Sequence, residues 1–133
     1  LVAPGKRPFH TIIPAFLTKN GAPQMSFGVM GGNMQPQGHL QTLVRMLVHG
    51  QQPQAACDAP RWKVALGLSV DCETTMAPAL VQGLRDRGHR IEAVHDAYMD
   101  FGSGQFIWKL SHDLEDGYVA ASDSRRDGQA VGY

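Results

Sequence analysis

The sequence predicts an α+β domain built in layers. Three observations carry that reading. Residues 62–70 alternate in the period of a strand, whereas 36–49 repeat apolar residues at helical spacing. Glycine and proline punctuate the chain at short intervals, so every element is short. The patterns run strands, helices, helix, strands, which is not the regular alternation of a parallel βαβ sheet. At 133 residues with 43% hydrophobic content, one core is expected, and 1–133 is read as a single domain.

Residues 1–8 hold Pro4, Gly5 and Pro8 and read as an extended lead-in. Residues 11–18 begin apolar and β-branched, and Asn20-Gly21 signals a hairpin into a strand at about 24–30. Pro14 belongs at an edge, a bulge or a strand start, because it donates nothing to a ladder. The helix over 36–49 places Leu40, Leu43, Val44, Leu47 and Val48 on one stripe, with Asn33 as its cap and Gly50 as its end. A short helix over 53–59 starts at Pro53 and is stopped by Pro60. Residues 62–70 form one strand carrying Trp62, Val64, Leu66, Leu68 and Val70. A helix from Thr75 has Pro78 in its first turn, Leu80, Val81 and Leu84 on one face, and Gly88 as terminator. Strands follow at 90–94, 105–110 and 118–122, with a glycine-containing loop over 98–104 and a turn at Asp116-Gly117. The tail 123–133 is polar first and small afterwards.

Lys plus Arg equals Asp plus Glu at 12 each, so there is no electrostatic footprint for nucleic acid or an anionic membrane. No apolar run approaches the roughly 20 residues that span a bilayer. Cys57 and Cys72 lack metal spacing and read as free buried thiols, with one bridge between them as the alternative. None of the six histidines stands in an H-x-H or H-E-x-x-H arrangement, so neither a metal nor a cofactor is expected.

The stretch with most chemical content is 25–40, an apolar strand that stops at Gly31-Gly32 and turns into a helix. Two bare glycines bring backbone N–H groups to one point, and a helix start adds unpaired donors and positive dipole. Such a corner suits an anion, or an oxygen that becomes one during a reaction. Alternatively, it is a tight turn that needs glycine only for its dihedral freedom.

Pro4-Gly5-Lys6-Arg7-Pro8, Gly31-Gly32, Asp58-Ala59-Pro60-Arg61, Gly88-His89 and the ending 121–128 occur in the order and spacing of the γ-glutamyltransferase family, which the chain resembles over nearly its whole length. The resemblance implies an N-terminal-nucleophile hydrolase fold, two sheets between helical layers. It also implies a proenzyme that cleaves itself to expose a threonine nucleophile. By position none of Thr11, Thr18, Thr42, Thr74 and Thr75 is that threonine, so the chain resembles the C-terminal part of the small subunit, inactive alone. Its expected partners are the large subunit or N-terminal part of the same proenzyme and a small amide or γ-glutamyl substrate, with self-association of the isolated piece.

On the resemblance, Gly31 and Gly32 are the oxyanion-hole glycines, and His10 and Thr11 line the acyl pocket. Typical members carry two serines at His10 and Thr11, and these hold the substrate's α-carboxylate. Phe9-His10-Thr11 is instead similar to a branch of acylases and amidohydrolases. Thr11 keeps a hydroxyl for a carboxylate or carbonyl, and His10 adds charge when protonated. Asp58, Arg61 and 123–126 read as structural ion pairs, and Trp62 and Trp108 as core. The reading from a different class is an anion-binding or interaction module without chemistry.

Overall fold

A computed structural model describes residues 1–94, 100–113 and 115–132. The lead-in makes only a turn at Pro4-Gly5 before the first hairpin. Strands β1 (Ala15–Lys19) and β2 (Ala22–Met30) are joined by Asn20 and Gly21, at φ 53° and 78°. Two successive left-handed residues turn the chain with the twist of its strands, as Asn-Gly predicts. Pro14 falls just before β1, where its missing N–H removes no ladder bond. Numbering the strands along the chain, β6 (Ser103–Lys109) and β7 (Tyr118–Ser122) complete an antiparallel sheet of order β1-β2-β6-β7.

Helices α1 (Gln35–Leu47) and α2 (Pro53–Asp58) cover one face of this sheet. Met25, Phe27 and Val29 of β2 pack there with Phe106, Ala121, Met46, Ala56 and Cys57. The helix at 36–49 is present, but it does not bury the stripe that the sequence predicts. Leu40, Val44, Leu47 and Val48 are exposed, and only Leu43 of that stripe meets the core. The buried side is Gln35, Gly38, His39, Gln41, Thr42 and Met46. Gly38 sets this rotation, since a Cβ there would come within 2.6 Å of Val29 Cγ1. The polar residues tolerate burial because each is hydrogen-bonded. Gln41, for example, accepts from Trp62 N–H at 3.0 Å and donates to Trp62 O at 2.8 Å.

The predicted strand over 62–70 is two strands. β3 (Trp62–Leu66) and β4 (Ser69–Glu73) form a hairpin around Gly67, at φ 58°. Leu66 and Leu68 carry the apolar alternation through this turn while remaining exposed, so the pattern hides the reversal. α3 (Pro78–Asp86), which begins at Pro78 rather than Thr75, then crosses to β5 (Arg90–Val94), parallel to β4. Val70, Cys72 and Met76 form a small core with Trp62, Val81, Leu84 and Ile91. Both cysteines are free and buried. Residues 98 and 99 of the expected loop, and His95, lie outside the described residues.

A buried ionic cluster joins the two sheets. Arg61, 1% exposed, meets the fully buried Asp123 at 2.7 Å. Arg125 bridges Asp123, at 3.0 Å, and Glu73, which ends β4. Arg61 also donates to the carbonyls of Cys57 and Phe101, and Asp123 accepts from Gly104 N–H at 2.7 Å. Burial alone would raise the Asp123 carboxyl, but the Arg61 charge and the backbone donors outweigh it and hold it low. Around Arg125 the bond to Glu73 and the charge of Asp123 likewise overcome burial and raise the guanidinium. Arg61, Asp123 and Arg125 thus form the ion pairs that their charge pattern suggests, and Asp58 accepts from Gln54 and from Ser124 N–H.

Removing one member of such a pair strands the other. Arg61→Ala is expected to cost about 3–5 kcal/mol. Lys63→Ala, which breaks partly exposed pairs with Asp71 and Asp100, should cost under about 1 kcal/mol. Urea unfolding of both variants checks this, and equal losses would contradict it.

Candidate active site

β2 ends at Met30, and the chain turns through Gly31 (φ 130°) and Gly32 (φ 56°) into a single 3-10 turn, Gly32–Met34, that leads directly into α1. This turn occupies the position given to a capping Asn33. The residue before α1 is Met34, with helical dihedrals and no side-chain cap. Met34 N–H instead donates to Gly31 O at 2.9 Å, so backbone closes the helix start and Asn33 is not its cap.

The two glycines serve different purposes. A Cβ on Gly31 would stand 2.9 Å from the Cα of Gly102, whereas one on Gly32 would meet nothing within 4 Å. Gly102 is equally constrained, since its own Cβ would fall 2.0 Å from Met30 O. Two backbones thus cross at Met30-Gly31 and Gly102, and both need glycine. Arg61 supports this crossing from inside, by its 2.9 Å bond to the carbonyl of Phe101. Gly31 and Gly32 are exposed, and among the described residues their N–H groups meet no acceptor. Two adjacent free donors stand beside the positive end of a 13-residue helix.

One side chain ties the segment that follows His10 to the start of α1. Gln35, three residues past Gly32, donates to Thr11 O at 2.9 Å and accepts from Ile13 N–H at 2.8 Å. Thr11 is exposed with its hydroxyl free, and His10 is exposed without a hydrogen bond among the described residues. An open apolar cleft of about 480 Å³ runs from Ile12 and Ile13 past Met30 and Ser103 to Arg126 and Gly128; it adjoins both segments in sequence, and none of His10, Thr11, Gly31 and Gly32 lines it. Gln35 and Gly102 were not singled out by sequence reasoning. Gly102 carried a signal, a glycine just before a strand.

Cys57 lies 3.5 Å from Gly104 O and 3.6 Å from Asp123 Oδ2. Burial and the neighbouring carboxylates push its thiol up to about 12, so it is an inert packing group. Cys57, Asp58 and Asp123 offer ligand atoms within 4.8 Å of one another. Asp123 is already bound by two guanidinium groups and two backbone N–H groups, which leaves a cation little to displace. No helix among the described residues is long and apolar enough to cross a membrane.

His39 of α1 accepts from Val29 N–H through Nε2 at 2.9 Å, which requires a neutral ring protonated on Nδ1. Burial lowers its affinity for a proton. The unfolded chain then binds more protons near and below about pH 6.5, so stability is full above that pH and declines as pH falls towards the lowered folded value. His39→Gln, which keeps an acceptor, should flatten this part of the melting-temperature profile between about pH 5 and 7. An unchanged slope in the variant would assign it to another group.

The sequence profile of the gamma-glutamyltranspeptidase family matches residues 1–133, the whole chain. The chain belongs to this family. Within it, the chain is 37% identical over 137 residues to the glutathione hydrolase-like YwrD proenzyme of Bacillus subtilis, covering 97% of this chain and 25% of that protein. It is 36% identical to the oxamate amidohydrolase proenzyme of Klebsiella pneumoniae, covering 99% and 25%. Among solved structures it superposes on a cephalosporin acylase from Bacillus halodurans with a TM-score of 0.85 and 47% identity, over 99% of this chain and 24% of that one. The gamma-glutamyltranspeptidase likeness therefore extends to the acylase and amidohydrolase side of the family, the side Phe9-His10-Thr11 resembles. The chain spans about a quarter of the length of these relatives. Its two sheets and packed helices are those of the N-terminal-nucleophile fold.

Proposed function

We propose that this chain supplies the oxyanion-binding corner and one wall of the acyl pocket in an N-terminal-nucleophile amidohydrolase or acyltransferase made as a proenzyme. The carrying observation is the exposed Gly31-Gly32 corner, with two unpaired N–H donors at the head of α1. The names hydrolase, amidohydrolase and acylase among its relatives support the same chemistry. The nucleophilic threonine belongs to a portion outside these residues. Its hydroxyl attacks the amide carbonyl while its own α-amine takes the proton. The carbonyl oxygen becomes an oxyanion against the N–H groups of Gly31 and Gly32. Collapse expels the amine, which takes the proton back from the α-ammonium, and leaves an acyl-enzyme, which water hydrolyses or an amino acceptor takes over.

The substrate is an amide with a polar group near the scissile carbonyl, held by the Thr11 hydroxyl and by His10. A second reading, hydrolysis of an amide that is not γ-glutamyl, is favoured by His10 and Thr11 standing where the family's serine pair holds an α-carboxylate. Turnover of γ-glutamyl, oxamate-type and cephalosporin-type amides by the whole enzyme separates the two. Dominance of the γ-glutamyl substrate would remove the second.

Gly32→Ala tests the corner directly, because its Cβ meets no protein atom. The folding cost should be about 1 kcal/mol, that of a left-handed alanine. The acylation step should lose about 3 kcal/mol, the worth of an oxyanion donor. Gly31→Ala should instead impair folding, since its Cβ is driven into Gly102. Normal kcat per active site with a lowered melting temperature in Gly32→Ala would reduce the corner to a turn.

The surface supports a larger assembly. The chain exposes 9151 Å², against about 6,900 Å² for a compact monomer of this mass. The excess, about 2,300 Å², includes the extended lead-in over 1–14 and leaves room for one side of a large interface. Phe16 and Ile107 on the uncovered sheet face, and Leu40, Leu47 and Val48 on α1, contribute to it. These surfaces are proposed to meet the rest of the proenzyme. Residues 1–133 alone should therefore be inactive and self-associate, and a clean monomer by light scattering at high concentration would argue against this.

A further inference from the structure

α1 uses glutamine side chains as substitute strands. Gln41 pairs with both backbone groups of Trp62, and Gln37 accepts from Val64 N–H at 2.7 Å. α2 does the same with Gln54, which meets Ser122 N–H and O at 3.2 and 2.8 Å. These three pin regular strands. Gln35 pins something different, a segment without secondary structure. The pairing of β1 with β2 ends at Ala15 opposite Phe27, so the chain over 11–13 leaves the sheet. The ladder position abandoned at Val29 is taken by His39, and the amide and carbonyl of Ile13 and Thr11 are taken by Gln35. Gln35 and His39 lie one helical turn apart and so stand between the end of β2 and the departing chain. Ile12 and Ile13 of that chain and Val29 and Met30 of β2 line one cleft.

We propose that Gln35 is a positioning residue for substrate binding, which ties the Thr11 segment to the start of α1, three residues past Gly32. This rests on the reading of that corner and cleft as an acyl-transfer site. Gln35 is 6% exposed, so water does not replace its bonds at no cost. It holds Thr11 by its main-chain carbonyl alone, which leaves the hydroxyl free for a ligand. Because Gln35 opens α1 and Gly32 opens the 3-10 turn that leads into it, binding and chemistry are referred to one continuous stretch of chain. They are served by separate groups, so losing the Gln35 pin loosens binding without removing an oxyanion donor.

The test uses the whole processed enzyme with Gln35→Met, which keeps length and loses both bonds, and Gln35→Glu, which keeps only the acceptor for Ile13. Gln41→Met is the control, since it breaks an equivalent pair far from Thr11. For Gln35→Met, KM for the preferred amide should rise about 10-fold with kcat changed less than about 2-fold, and hydrogen exchange at Ile13 should accelerate about 10-fold or more. Gln35→Glu should fall between wild type and Gln35→Met on both readouts and serves if Gln35→Met does not fold. Gln41→Met should lower the melting temperature and leave KM alone. Equal KM effects at positions 35 and 41, or a loss confined to kcat, would overturn the proposal. Faster exchange at Ile13 with unchanged KM would also overturn it, by making the pin purely structural. A wild-type enzyme that turns over no amide in the panel would overturn the acyl-transfer reading and the role given to Gln35 with it. The exchange measurement would still report separately whether the pin exists.

Discussion

The structure depends most on the contact between Arg61 and Asp123, two opposite charges removed from water at 2.7 Å. Each is tolerable inside only because the other is there. Their remaining hydrogen-bonding capacity is spent on backbone from separate elements: Cys57 in α2, Phe101 and Gly104 beside and within β6, and Arg125 after β7. Through Arg125 and Glu73 the same cluster reaches β4 of the second sheet. Two small hydrophobic clusters, neither large enough to dominate, are thereby fixed to one another. Such a cluster contributes little net stability compared with apolar packing of the same volume, but losing one member leaves a charge buried and unpaired.

That constraint extends to the proposed site. Phe101, held by Arg61, leads into Gly102, which presses on Met30 and Gly31 closely enough to exclude any Cβ. The corner is thus clamped from the core side and open on the other. A preorganised donor is useful because it needs no reorganisation when charge develops, and clamping of this kind provides it. His39 and Gln35 complete the support from α1, one holding the strand before the corner and the other the segment of Thr11 and Ile13.

Much of this was legible in the residues. Asn20-Gly21 specified its turn, Pro53 and Pro60 bracketed α2, and 90–94 and 118–122 are the observed strands β5 and β7. Periodicity failed where apolar residues face outward. The stripe from Leu40 to Val48 is the exposed side of α1, because Gly38 and hydrogen-bonded polar residues form the inner side. An apolar pattern states that residues share one face, not which face packs inward, and this chain spans about a quarter of its relatives' length. Residues 62–70 failed for a local reason: the alternation passes unbroken through a glycine hairpin. At the site, Gly31 and Gly32 stood out by composition and His10 and Thr11 by resemblance. Gln35 was silent, since a glutamine that imitates a strand has no periodic signature.

The most direct measurement is a structure of the whole processed enzyme carrying a boronate that forms a tetrahedral adduct on the nucleophile. The boronate oxygen stands in for the carbonyl oxygen of the transition state. It is predicted to lie about 2.7–3.1 Å from the main-chain nitrogens of Gly31 and Gly32. An adduct whose oxygen is held by other groups, with these two N–H groups facing solvent, would contradict the account.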